Sequence, residues 1–237
     1  MEKLLSLTVC KRIGFALLLA LSLVVQAETR ADCQQPGQYE SFVNDNYPAE
    51  IAFDVFRNDK LVGEHVTRFQ TLENGLSVKS RMALEIKFLF IKAYEFEYLS
   101  DTLWCSDKLQ SLEATTDRNG EISRVSGKAD DDTLVISSAN GEARTTREIL
   151  TTDHWNPMVL NRNEVLNTIT GSVNNVAIRP CGQGTPRVEK AAPDASCYEY
   201  TGDLNTRVWY DSLGRWRGLE FKGDDGSTIT YVCKRCT

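Results

Sequence analysis

The sequence predicts an all-β protein: an antiparallel meander curled into an open or closed β-barrel with one short helix. Three observations carry this reading. Short runs alternating apolar and polar residues fill the chain from Ile51 onward, and turn residues punctuate them at regular spacing. Only one segment, around Asn156-Pro157, breaks the pattern with helical character. A flat open sheet of about a dozen strands would leave a long edge and a bare apolar face, so such a sheet must curl or close.

The chain opens with Lys3, Lys11 and Arg12 ahead of the apolar run Ile13 to Val25, then Gln26-Ala27. A positive start, a short apolar stretch and small side chains near Ala27 are expected of a secretory signal peptide covering 1–27. The run is too short to span a bilayer. Residues 28–50 read as a polar lead-in around Pro36-Gly37, and 51–237 as a single domain. The expected address is export, with the periplasm first. The leader carries three positive charges and one negative, so its removal moves the formal charge from −6 to −8. That balance speaks against nucleic acid or an anionic bilayer as a partner.

Within the domain, Ile51, Phe53 and Val55 alternate with Ala52, Asp54 and Phe56 as a first strand. Asn58-Asp59-Lys60 turns the chain into Leu61 to Gln70, and Asn74-Gly75 turns it into Leu76 to Lys87. A two-residue Asn-Gly turn is a strong hairpin signal, since a type I′ turn needs positive φ at both central positions. Asn119-Gly120 and Asn140-Gly141 repeat it around Ile122 to Ala129 and Leu134 to Ser138. Near the end come Arg207 to Tyr210, Trp216 to Lys222 and Thr228 to Cys233, separated by turns at Asp211–Gly214 and Asp224–Gly226. Asn156 suits a cap and Pro157 a first helical residue, which places the short helix over Pro157 to Asn161.

Cleavage after Ala27 removes Cys10 and leaves Cys33, Cys105, Cys181, Cys197, Cys233 and Cys236. An even count in an oxidising compartment is expected to form disulfides, with 15 pairings open. Cys181 with Cys197 is the one pairing the spacing suggests, because they bracket a Gly- and Pro-rich loop whose closure is worth ~3 kcal/mol. Cys233-Lys234-Arg235-Cys236 has the spacing of a redox motif, but it leaves a strand rather than opening a helix, so a structural bond is expected. No haem, metal set or other cofactor is expected.

His65 and His154 are the only histidines, which excludes a multi-histidine metal site, and there is no Gly-x-Ser-x-Gly elbow to supply a nucleophile. No catalytic residue is expected. Phe88-Leu89-Phe90-Ile91 is apolar on both faces, which suits a doubly buried strand or tight connection, or an apolar lip over a barrel mouth. Tyr94, Phe96 and Tyr98 continue one aromatic face, and His154-Trp155 sits on the non-β element. Phe88, Phe90, Tyr94, Phe96, Tyr98, His154 and Trp155 are therefore the candidate ligand-lining residues. Asp130-Asp131-Asp132 and Asp224-Asp225 read as turn residues.

Asp54-Val55-Phe56-Arg57-Asn58-Asp59-Lys60-Leu61-Val62-Gly63, His154-Trp155-Asn156-Pro157, and Trp209-Tyr210-Asp211 with Gly214-Arg215-Trp216 occur in an order that resembles an exported bacterial family of unknown function. The resemblance runs from about Ile51 to Val232 and does not include the terminal cysteines. Such proteins are similar in outline to lipoprotein-carrier barrels of the LolA and LolB type, in which a curled sheet wraps a helical plug and holds acyl chains. The resemblance implies that outline and no catalytic residue. The expected function is a non-enzymatic exported barrel holding a hydrophobic or lipid-like ligand in its interior. The alternatives are a disulfide-stabilised structural or protein-interaction module of the envelope, and a thiol-redox protein using Cys233 and Cys236.

Overall fold

The computed structural model describes Cys33 and residues 36–88, 91–183 and 194–237. The leader lies outside these residues. One α-helix, α1 (Gln38–Asn46), precedes fifteen strands among the described residues. They are β1 (Glu50–Arg57), β2 (Lys60–Leu72), β3 (Gly75–Phe88), β4 (Ile91–Cys105), β5 (Lys108–Arg118), β6 (Glu121–Asp130), β7 (Thr133–Ser138) and β8 (Gly141–Thr146). After these come β9 (Leu150–Thr151), β10 (Glu164–Leu166), β11 (Val173–Gln183), β12 (Ser196–Gly202), β13 (Thr206–Tyr210), β14 (Trp216–Lys222) and β15 (Thr228–Arg235).

The strands form one sheet in which almost every strand pairs with its chain neighbours. The first strand, β1, also pairs antiparallel with the last, β15. Strand order therefore runs from β8 back to β1, across to β15, and down to β9. Two strands consecutive in the chain, β8 and β9, become the two edges of a curled sheet that is not closed. Bulges at Ala52/Phe53, Val55/Phe56, Ile86/Lys87, Leu103/Trp104 and Trp209/Tyr210 bend the long strands. At Gly63 a Cβ would lie 1.9 Å from the Ala83 carbonyl oxygen, so only glycine permits β2 and β3 to approach as they do there. The parallel pair β9–β10 is the exception to the antiparallel rule, and the segment between them buries His154, Trp155 and Val159.

Alternation sorts most side chains as expected, although Ala52 of β1, beside the bulge, is fully buried as well. Ile51, Phe53 and Val55 of β1 and Leu134 and Ile136 of β7 are fully buried in one core. Of the Asn-Gly turns, only Asn119-Gly120 has positive φ at both residues, 55° and 90°. At Asn74-Gly75 and Asn140-Gly141 the glycine alone is positive and opens the next strand, so the turn residues are Glu73-Asn74 and Ala139-Asn140.

One expectation needs correction. The lead-in 28–50 is not merely polar, since α1 lies within it and buries Tyr39 and Val43 in the core, with Tyr47 just beyond. Its first turn has no local cap; Asp107, from the β4–β5 turn, accepts the Gln38 and Tyr39 N–H groups at 3.0 and 2.8 Å. The short helix expected at Pro157 is present as a 3-10 helix, Pro157–Asn161, with the Met158 N–H donating to the Asn156 cap Oδ1 at 3.0 Å. The apolar run at Phe88 falls at the β3–β4 hairpin end, where Phe88 faces Ile91; Leu89 and Phe90 lie outside the described residues.

Candidate functional site

The interior of the curl is the first place to look for a site. Its centre is aromatic. Trp216 of β14 lies 4.0 Å, ring centre to ring centre, from Phe53, 5.5 Å from His65 and 5.9 Å from His154. His65 is also 5.5 Å from Tyr231, and His154 is 5.7 Å from Tyr200. Strand alternation puts His65 on the inner face of β2 with Thr67 and Phe69, all buried. His154 reaches the same centre by another route: its φ of 59° turns the backbone into the left-handed region, where histidine is among the better-tolerated residues. Tyr210 holds that turn by donating its hydroxyl to the His154 carbonyl at 2.9 Å, and Tyr47 donates to the Trp155 carbonyl at 3.0 Å.

Burial sets the electrostatics here. Desolvation pushes His65 down to about 4 and His154 down to about 3, the second also feeling His65, so both are neutral at pH 7. Burial raises Asp153 to about 6, against the opposing hydrogen bonds of Thr151, Tyr98 and Thr168. Tyr98 donates to Asp153 at 3.4 Å and lies 2.5 Å from the Thr168 hydroxyl. His65 Nε2 lies 3.2 Å from the Thr67 hydroxyl, which is 3.0 Å from that of Ser80. This chain of hydroxyls lacks the orienting carboxylate of a catalytic triad, because His65 Nδ1 has no partner among the described residues.

The candidate lining residues are thus distributed as follows. Phe96, Tyr98, His154 and Trp155 are buried in the core, Tyr94 is packed partly against it, and the Phe88 and Phe90 side chains lie outside the described residues. Trp155 stacks edge-on against Tyr39, Phe69 and Trp104 at 5.9–6.3 Å, while Phe96 carries the Arg118 guanidinium 5.6 Å from its ring centre. Sequence reasoning missed the residues at the centre, Phe53, Trp216, Tyr200 and Tyr231, because they meet only when β1, β14, β12 and β15 are brought together.

Two clefts open at the surface among the described residues. A cleft of about 900 Å³ runs over the outer wall of β1 to β4, with Leu61, Val62, Ala83, Ile86 and Ala93 as its apolar lining. Asp54, Glu64 and Glu85 alternate around it with Arg57, Lys60 and Lys234. Leu61 is 60% exposed. A smaller cleft of about 370 Å³ beside α1 is polar, with Asp107, Lys108, Glu148 and Arg162 among its walls.

The six cysteines among the described residues are all paired. Cys181 joins Cys197 as the spacing suggests, across the β11–β12 hairpin, and Cys33 joins Cys105 at the end of β4. Cys233 joins Cys236. This last pair leaves β15 as a strand, Cys236 is buried, and Lys234 and Arg235 are held by Asp54, Glu64 and Glu50. Among the described residues no helix begins at either sulfur to favour a thiolate. Three disulfides suit an oxidising, exported setting. No helix among the described residues is long and apolar enough to cross a membrane.

Comparison with known proteins agrees with this architecture. A search of curated proteins returns no match. Among solved structures the chain is similar to the crystal structure of a beta-barrel-like protein of domain of unknown function DUF1849 from Brucella abortus. The TM-score is 0.56 at 11% identity, over 81% of this chain and 98% of that one. At such identity the likeness is one of fold. The family model described as Domain of unknown function (DUF6134) matches residues 53–234, which is most of the chain and of the sheet, and the protein therefore belongs to the DUF6134 family.

Proposed function

We propose that this is an exported, non-enzymatic barrel-like protein that works through its outer surface as an interaction module of the cell envelope. The observation that carries the reading is the aromatic packing at the centre of the curl. Where a carrier barrel would hold an acyl chain, Phe53, His65, His154, Tyr200, Trp216 and Tyr231 pack ring against ring. Such a centre gives rigidity, and the three disulfides add to it. The leader and the cysteine usage support export.

The hydrophobic-ligand reading keeps one specific support, the apolar outer cleft lined by Leu61, Ile86 and Ala93. Lipid extraction of the purified, disulfide-bonded protein, together with titration by an environment-sensitive hydrophobic dye, separates the two. The interaction reading expects no stoichiometric lipid and no saturable dye site. One dye per chain, lost on Ile86→Glu and kept on Tyr98→Phe, would favour the cleft. One extractable lipid per chain, with dye binding sensitive to Tyr98→Phe, would overturn the interaction reading in favour of an interior ligand.

A further inference from the structure

We infer that the free edge of β8 pairs with β8 of a second copy of this chain, forming a two-fold dimer with a sheet continuous across the seam. β8 ends the sheet: it pairs with β7 on one side and with no described strand on the other. Its residues are exposed or half-buried throughout. Ser138 and Gly141 close the two-residue Ala139-Asn140 turn as a hydrogen-bonded pair. Because that pairing alternates along an antiparallel ladder, Gly141, Ala143 and Thr145 turn their backbone groups to β7. Glu142 and Arg144 present theirs to the open side.

Those two residues also carry opposite charges on one face. Arg144 is 3.4 Å from Glu142 and 3.3 Å from Asp130, with more than half of each side chain exposed to water. Consider the registers open to two antiparallel copies. Centring the two-fold axis on Ala143 places Glu142 opposite the second copy's Arg144, twice. It also aligns the free N–H and C=O groups of those residues into reciprocal hydrogen bonds. Moving the axis by one residue, to 142 or to 144, keeps the hydrogen bonds but sets Glu142 against Glu142 or Arg144 against Arg144. Charge thus selects one register among those the backbone allows, and in it the small Ala143 side chain sits at the close, non-hydrogen-bonded crossing. An edge that merely used charge to deter pairing has no need of a self-complementary order.

Sedimentation velocity across a concentration series tests this on the disulfide-bonded protein. Wild type is expected to show a reversible monomer–dimer equilibrium. Arg144→Glu alone and Glu142→Arg alone should each weaken it by about tenfold or more, since both symmetric pairs become repulsive. Mixing the two variants should restore a dimer, because each then supplies the charges the other lacks. That recovery also shows that both variants are folded. A wild type that stays monomeric at every concentration overturns the proposal, as does a dimer indifferent to both reversals. Neither result touches the interaction reading above, which does not require self-association.

Discussion

Tyr47 joins three parts of the molecule through one hydroxyl. Its oxygen accepts the Trp216 backbone N–H at 2.6 Å and its proton goes to the Trp155 carbonyl at 3.0 Å, while its ring stacks on Phe69. Tyr47→Phe keeps the ring and strands two buried backbone groups. The expected cost is ~1–3 kcal/mol, read as a lower urea midpoint with an unchanged slope. A midpoint equal to wild type would mean that water takes both places. Nothing in the local sequence marks Tyr47, because its partners stand 108 and 169 residues away. His65 is a middle case. Its place in β2 is legible, and its inward face follows once Thr67 and Phe69 are seen to share it, but the ring it meets on Trp216 is not.

At the scale of elements, the hairpins were readable because both their signals are local: alternation within a strand and a turn between strands. Helix α1 was not, because Asp107 from a distant turn supplies its cap and Trp104 and Trp155 cover its face. The disulfides follow the same division, with the 16-residue Cys181–Cys197 closure suggested by its loop and the 72-residue Cys33–Cys105 closure dependent on the fold. Their contributions should rank by the loop each closes. Chain entropy gives about 4 kcal/mol for Cys33–Cys105, about 3 for Cys181–Cys197 and about 2 for Cys233–Cys236. Replacing each pair by serine and comparing urea midpoints checks the order. A Cys233–Cys236 pair that proved costliest would mark it as the clasp joining the chain ends through β1 and β15.

For the whole molecule, the buried aromatic centre fixes how stability responds to acid. His65 and His154 are held below the ordinary 6.5, at about 4 and about 3, by burial. Above pH 6.5 they are neutral folded or unfolded, so their contribution is complete. As the pH falls below 6.5 the unfolded chain takes up protons that the folded chain refuses, and stability is lost down through about 4 and 3. Asp153 has the opposite sign. Burial raises it from 3.8 to about 6, so its contribution is present below 3.8 and fades as the pH rises through about 6. Asp225, held low by Ser227 and Arg57, counts chiefly below 3.8. Between pH 6 and 4, then, two histidines act against one aspartate. The net effect of the three is a loss of about 1.4 kcal/mol for each pH unit of acidification. Asp153→Asn should steepen the loss by about 1.4 kcal/mol per unit, and His65→Gln should flatten it by a similar amount. Urea unfolding of the three proteins at pH 4, 5, 6 and 7 measures the slopes. Three equal slopes would show that water reaches the histidines, and a buried aromatic centre would then no longer explain why this barrel-like sheet holds its shape.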